Sequence, residues 1–201
     1  GVDLAASSLL LLGHEGTAAV VKASRAHAKS HCKEGVGIGS GPAERYSRER
    51  YETPYLRDSL IDHRIMVETV ETATAWSNLE RLHAAATTAI RGGLESAGTP
   101  GIVGCHVSHV YTEGASLYFT WMARQKRGEE LAQYDPNKGA AMRAVVDAGG
   151  HVSHHHGIGS DHVAYFREAV GEPGIRLLRD LKARFDPRGI MNPGKLFPVS
   201  P

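Results

Sequence analysis

Three consecutive histidines are the strongest candidates in this sequence for catalysis or ligand binding. His154, His155 and His156 lie between a glycine pair at 149–150 and further glycines at 157 and 159. Imidazole is the side chain whose ordinary pKa lies closest to neutral pH, so such a cluster can transfer protons, bind anions or hold a metal. Glycines on both sides allow the backbone to turn sharply or to approach a ligand closely. The run lies inside the chain, unlike a terminal purification tag.

The residue pattern leaves three interpretations of this run open. Zinc is the first metal to consider, but successive side chains normally diverge, and no carboxylate or cysteine lies at a customary ligand spacing, so we expect no metal here. An exposed and inert histidine cluster is the second interpretation. The third is a loop shaped for proton transfer or anion binding, and the flanking glycines favour it.

Tyr118 and Arg57 are the other two side chains to which we assign chemistry. A phenol can donate or accept a proton if nearby positive charge stabilises the phenolate, although a tyrosine in a strand commonly serves only for packing. The guanidinium fork of Arg57 suits a phosphate or a carboxylate. It can equally pair with Asp58 or Asp62 on its own helix.

The composition indicates a globular domain whose net charge is close to zero. Of the 201 residues, 41% are hydrophobic and 22% are charged, which is typical of a soluble protein with a core. The formal net charge of +1 gives no overall field that would attract nucleic acid. The longest apolar run, residues 9–12, is far too short to span a bilayer. Cys32 and Cys105 lack the spacing of a metal pair, and together these features predict a cytoplasmic protein.

Hydrophobic periodicity predicts an α+β fold, an antiparallel sheet with helices packed against it. The order of elements excludes a doubly wound parallel sheet. Glycines alternate through 35–41, but because they follow a helix we expect a connector and not a dinucleotide-binding loop. The predicted elements are a strand at 7–12, a helix within 16–34, a short helix from Pro54, a strand at 65–73, a helix from Trp76 to about Gly98, a hairpin at 102–122, a helix ending at 149–150, two further helices before Asp186, and an irregular tail.

The hairpin at 102–122 requires a register that keeps apolar side chains on one face. Matching the two arms predicts a three-residue loop at 112–114 that pairs Val107 with Phe119. A two-residue loop would instead pair Tyr118 with His109. In the first register Tyr118 lies on the polar face with the other polar side chains of the hairpin: His106, Ser108 and Thr120.

Several motifs together resemble the C-terminal part of FAD-linked oxidases of the vanillyl-alcohol-oxidase type and, among these, the alkyldihydroxyacetonephosphate synthases. The resemblance covers nearly the whole chain from about Gly13, and the triple histidine is its most specific motif. The Asn-Pro-Gly-Lys ending is shared across the wider oxidase class. The matching segments are 55–58, 71–76, 111–119, 153–159, 185–187 and 190–195.

The resemblance implies that residues 1–201 form the cap, or substrate, domain of a longer FAD-dependent enzyme. The segment 186–201 is then a tail expected to return to an upstream FAD-binding domain, and the chain alone is expected to be inactive. The implied reaction exchanges the acyl chain of acyl-dihydroxyacetone phosphate for an alkyl chain in ether lipid synthesis. A phosphorylated ketone or a hydroxy acid is the expected substrate, nucleic acid is not expected as a partner, and both peripheral membrane association and a homodimer remain open.

Site roles carry over from the family by motif. Tyr118 matches the proton donor and acceptor, the three histidines match those required at the flavin edge, and Arg57 matches a substrate-binding arginine. His154 and Asn192 are the expected cofactor contacts. Two alternatives stay open: an FAD-dependent oxidoreductase of 2-hydroxy acids or alcohols, and a free-standing module that binds a metal or an anion.

Overall fold

The computed structural model describes residues 7–197, apart from the side chain of Thr53. The chain divides into two compact units, Gly1–Asp58 and Ser59–Pro201. The boundary falls within helix α3, Thr53–Asp62, which confirms the helix predicted from Pro54. In the described residues the first unit contains helices, and the second contains a β-sheet together with helices.

The regular elements in the described part of the first unit are helices. Helix α1, Ala18–His31, begins where the hydroxyl of Thr17 accepts a hydrogen bond from the Val20 amide, and it ends with basic side chains that suit the negative end of the helix dipole. Helix α2, Gly41–Glu49, has Pro42 in its first turn, where no amide donor is needed. Neither helix has a buried residue.

The strand predicted at 7–12 is wrong. These residues are irregular, and Leu9, Leu10 and Leu12 are exposed. A strand needs a neighbour to satisfy its backbone groups, and the described part of this unit contains no strand for it to pair with. The glycines at 35–41 are exposed and follow α1, as expected of a connector.

The second unit contains a three-stranded antiparallel sheet in the order β1-β3-β2. Strand β1 is Ile65–Ala75, β2 is Gly101–Val110 and β3 is Gly114–Arg124. A 3₁₀ turn at Trp76–Asn78 leads from β1 into helix α4, Leu79–Ser96, and helix α5, Glu130–Asp147, follows β3. The α+β class with helices packed on an antiparallel sheet is confirmed.

One face of the sheet forms the core with α4 and α5. Alternate residues of β3 point to the helices, and α4 contributes the stripe predicted from its helical period. The helices approach closely at Gly93, where a Cβ atom would lie 2.6 Å from Nδ2 of Asn137, and that amide donates to the Ile90 carbonyl over 2.9 Å. The core includes Leu82, Ala86, Ile90, Leu94, Leu117, Phe119, Trp121, Met142 and Val145.

The predicted hairpin register is wrong by two residues. Val107 pairs with Leu117, not with Phe119, and Tyr118 pairs with His106. The strands extend further towards the turn because a bulge at His109 absorbs one residue there, and the amide of Tyr111 bonds to the Gly114 carbonyl at 2.8 Å. A shift of two residues preserves the face of every side chain, so Tyr118 remains on the polar face as predicted.

The C-terminal part is helical and then irregular, as the sequence predicted. Helix α6, Gly159–Phe185, is interrupted at Gly171, whose φ of 70° is not helical, so it comprises the two predicted helices. The tail begins at Asp186, which accepts hydrogen bonds from the amides of Ile190 and Met191. Lys182 pairs with this carboxylate and holds its pKa below the ordinary value. Residues 198–201 of the predicted tail lie outside the described residues.

Among the described residues, every helix is too short or too polar to cross a membrane.

His162 in α6 should make the stability of the chain depend on pH. Its ring is half-buried, and burial lowers its pKa more than the approach of the ring to the backbone of Gly157 raises it. Burial, with a smaller contribution from the positive charge of Lys138, lowers its pKa from the ordinary 6.5. The unfolded chain therefore binds a proton that the folded chain resists, and the free energy of unfolding should fall as the pH drops below about 6.5.

Urea unfolding of the wild type and of His162→Gln between about pH 7.5 and about pH 5.5 measures this contribution. The variant should lose less stability on acidification than the wild type, because glutamine does not titrate. Identical pH dependence in the two proteins would show that the burial of His162 has no such effect.

Candidate functional site

A row of three polar side chains crosses the face of the sheet that is not covered by α4 and α5. Glu71 of β1 pairs with Tyr118 of β3, and Tyr118 pairs with His106 of β2. Paired residues of neighbouring strands point to the same side, so all three lie on one face. His106 is exposed and Tyr118 is partly exposed, whereas Glu71 is buried.

Residues 151–157, which we call the histidine loop, are fixed to the free edge of β1. The amide of His151 donates to the Ala73 carbonyl over 3.0 Å, and the Thr72 hydroxyl donates to the His151 carbonyl over 2.6 Å. Gly150 permits this approach, since a Cβ atom there would lie 2.7 Å from the Thr72 hydroxyl oxygen. The chain thus passes from the helical side of the sheet, over the β1 edge, to the polar face.

The histidine loop then covers Glu71. The loop has no regular structure, so its adjacent imidazoles converge on the carboxylate where the sequence led us to expect divergence. The Glu71 side chain has 0% of its surface exposed. The ring nitrogens approach it as follows: His155 Nδ1 is 2.9 Å from Oε2, His156 Nε2 is 3.5 Å from Oε2, and His154 Nδ1 and His109 Nδ1 are each 3.6 Å from Oε1.

Glu71 is the dominant electrostatic feature of this cluster. Neither of its oxygens has a hydrogen-bond partner among the described residues, because even the short approach of His155 is not aligned for a hydrogen bond. A buried and unpartnered carboxylate is costly unless a positive charge lies beside it. Four imidazoles around one carboxylate supply the nitrogen atoms that can hold a cation beside it.

His109 reaches the cluster because of the β-bulge in β2. Its φ of 45° lies in the left-handed region, which is uncommon for residues other than glycine but more accessible to histidine than to most. Bulges turn a side chain away from its regular direction, and here the ring is turned towards Glu71. Its Nδ1 also lies 3.2 Å from the Ser108 hydroxyl and 3.3 Å from the Ser116 hydroxyl.

Glu71 and His109 were not among the predicted site residues. One signal of Glu71 was present in the sequence: a glutamate in the middle of a strand predicted from its β-branched residues. His109 had no comparable signal, since its position depends on the bulge.

The structure brings together Tyr118 and the three predicted histidines. The rings of Tyr118 and His156 meet edge to face with centroids 5.5 Å apart. The hydroxyl of Tyr111 lies 3.1 Å from Nε2 of His154, which fixes that ring from the side opposite Glu71. This arrangement places a phenol and several imidazoles at one partly exposed surface, where they can exchange protons with a ligand.

Asn192 makes no described contact with this cluster, and Arg57 lies outside the compact unit that contains it. Arg57 belongs to the first unit, and its guanidinium lies 4.0 Å from the carboxylate of Asp58. Asn192 is exposed, has a φ of 46°, and accepts a hydrogen bond from the Lys195 amide within its own turn. Their binding roles remain predictions.

The thiol of Cys105 should react slowly with alkylating reagents, although Cys105 lies in the same hairpin as Tyr118. It pairs with Phe119 and so faces the core side, where burial raises its pKa to about 11. Because the thiolate is the reactive form, iodoacetamide near neutral pH should alkylate the exposed Cys32 first. Mass spectrometry of a labelling time course checks this order, and Cys32→Ser isolates the rate of Cys105. Labelling of Cys105 as fast as that of Cys32 would contradict this account of its environment.

Comparison with known proteins shows the family to which this chain belongs. Residues 1–196 match the family described as FAD linked oxidases, C-terminal domain. The chain belongs to this family. The predicted membership of the FAD-linked oxidases is thereby confirmed.

Alkyldihydroxyacetonephosphate synthases are among the family members similar to this chain. The synthase of Dictyostelium discoideum is 34% identical over 193 residues, which cover 95% of this chain and 32% of the relative. The synthase of Trypanosoma brucei brucei is 30% identical over 203 residues, covering 100% and 33%. A solved structure of an alkyldihydroxyacetonephosphate synthase superimposes with a TM-score of 0.58 at 29% identity, covering 87% of this chain and 29% of that one. The chain therefore spans about a third of the length of these relatives.

Proposed function

We propose that this domain forms the substrate-facing side of the active site in an FAD-dependent enzyme that exchanges the acyl chain of acyl-dihydroxyacetone phosphate for an alkyl chain. The observation that carries the proposal is the partly exposed phenol of Tyr118 beside His156 on the polar face of the sheet. The similarity to alkyldihydroxyacetonephosphate synthases over nearly the whole chain supports it.

The exchange needs a group that moves protons. The carbon–oxygen bond to the fatty acid breaks and one to the alcohol forms, so that the acid leaves as a carboxylate and the alcohol gives up its proton, without net oxidation. The reacting carbon is next to a ketone, and removing and returning its proton requires a positioned base. Tyr118 takes this role in our proposal. The adjacent imidazole of His156 can accept or donate a proton at the same surface.

The polar face of the sheet also suits the edge of a flavin ring. His106, Tyr118 and His156 offer hydrogen-bonding groups that remain at least partly accessible. FAD, when bound, supplies the redox-active ring that defines the family. We assign Asn192 and the ring face of His154 to contacts with it, and we assign the tail 186–201 to the return towards an upstream FAD-binding domain. In this proposal the 201-residue chain alone is inactive.

Arg57 is assigned to the phosphate of the substrate. Its guanidinium is largely exposed and has only a 4.0 Å approach to Asp58, which leaves its donors available. A guanidinium binds phosphate through two parallel hydrogen bonds. The long acyl chain of the substrate would bring the complete enzyme to a membrane surface.

The complete flavoenzyme that contains this domain tests the proposal. Palmitoyl-dihydroxyacetone phosphate should bleach the flavin absorbance, and adding hexadecanol should yield the ether product and free palmitate. Reduction of the flavin by 2-hydroxy acids, with no response to the phosphorylated ketone, would contradict the synthase function and establish the oxidoreductase alternative.

Replacing Tyr118 by phenylalanine should abolish turnover without unfolding the protein. The substitution removes one hydroxyl on a partly exposed face, so the melting temperature should hardly change, whereas loss of a general acid–base group typically costs about 100-fold or more in rate. Steady-state ether formation measures the effect.

Tyr165→Phe is the matched control, because its hydroxyl bonds to the Gly139 carbonyl away from the cluster. It should keep its activity. If Tyr118→Phe were as active as this control, Tyr118 would be a packing residue.

A further inference from the structure

We propose that Glu71, His109, His154 and His155 bind a divalent transition metal, with zinc as the ion that suits them best. This set differs from the run of three histidines considered in the sequence, which has no carboxylate at a ligand spacing and for which we expected no metal. One ligand atom from each of the four residues lies within 4.8 Å of all the others. The inference does not depend on the proposed reaction.

The distances between ligand atoms agree with tetrahedral coordination. Bonds of about 2.0–2.1 Å to nitrogen and oxygen place neighbouring ligand atoms about 3.3–3.4 Å apart around a tetrahedral zinc ion. His109 Nδ1 and His154 Nδ1 are each 3.6 Å from Glu71 Oε1. His155 Nδ1 is 2.9 Å from Oε2, and 3.1 Å separates Nδ1 of His154 from Nδ1 of His155. The printed separations thus lie close to the tetrahedral spacing, and the four ligand atoms, all within 4.8 Å of one another, would draw together around a bound ion.

Glu71 supplies an independent reason to expect a cation. Its carboxylate is fully buried, and neither oxygen has a hydrogen-bond partner among the described residues. A metal ion would neutralise this charge directly. It would also accept the lone pairs of both facing nitrogens of His154 and His155, whereas a hydrogen bond between them uses only one.

The surroundings of two ligands are consistent with such a site. Metal-binding imidazoles usually donate their other N–H to a polar group, and Nε2 of His154 lies 3.1 Å from the Tyr111 hydroxyl. Nδ1 of His109 is within 3.3 Å of the hydroxyls of Ser108 and Ser116, contacts that metal binding would replace.

The cluster is open enough for an ion to enter. The imidazole of His156 is not one of the four proposed ligands. The side chains of His109 and His155 are 45% and 51% exposed. His156 approaches Glu71 at 3.5 Å and remains beside Tyr118.

Zinc suits this donor set best among the common ions. Imidazoles favour zinc, copper, iron and nickel over magnesium or calcium, and a tetrahedral set of three histidines and a carboxylate is typical of zinc. Four protein ligands leave no open position in a tetrahedral site. The bound ion would therefore hold the histidine loop on the sheet and would not itself activate water.

Calorimetric titration of the tag-free complete protein that contains this domain with zinc chloride tests the site, with elemental analysis of the dialysed complex. We expect one zinc per chain. Glu71→Gln and His155→Ala should each weaken binding by at least about 100-fold, and Tyr111→Phe by about 10-fold, since loss of an outer partner alone typically costs 10- to 100-fold. His151→Ala removes an exposed histidine of the same loop and should leave the affinity unchanged.

Two outcomes would overturn the proposal: no saturable zinc binding by the folded wild type, or equal affinity in the wild type, Glu71→Gln and His155→Ala. Circular dichroism confirms that each variant is folded. Zinc should also raise the melting temperature of the wild type but not that of His155→Ala, because only a ligand that binds the folded state stabilises it. None of these readouts uses flavin or turnover, so a failure of the proposed function is distinguishable from a failure of this site.

Discussion

The buried negative charge of Glu71 is the constraint on which the functional face of this domain depends. A carboxylate in the middle of a strand, covered by a loop and without a hydrogen-bond partner among the described residues, requires a positive charge beside it. The four surrounding imidazoles supply the nitrogen atoms that can hold a cation there. Removing the charge would leave the imidazoles without the group on which they converge.

The sheet gives this charge its fixed position. Because β1 lies at the edge of the order β1-β3-β2, the chain leaving α5 can bond to Ala73 and then fold over onto the polar face. The central strand places Tyr118 between Glu71 and His106 in one row. The opposite face is packed against α4 and α5, so the polar face is held by a rigid core while its side chains remain available for chemistry.

Elements with a local signal were predictable from the sequence. The stripe from Leu82 to Leu94 defined α4, and alternation placed Tyr118 on the correct face even though its partner was wrong. The true register depends on the bulge at His109, which side-chain alternation does not specify. The strand predicted at 7–12 fails because strand formation requires a partner. The role of Glu71 could not be predicted because its contacts with the histidine loop join segments more than 80 residues apart.

Nitrogen-15 NMR of the histidine rings tests most directly whether Glu71 organises the cluster. In a Glu71→Gln variant, which preserves the size of the side chain, the ring-nitrogen signals of His109, His154 and His155 should change together, because all three rings contact the carboxylate. The signals of His83, an exposed ring of α4 that stacks on the buried Phe119, should stay where they are. Unchanged signals from the three clustered rings in a folded variant would contradict the account.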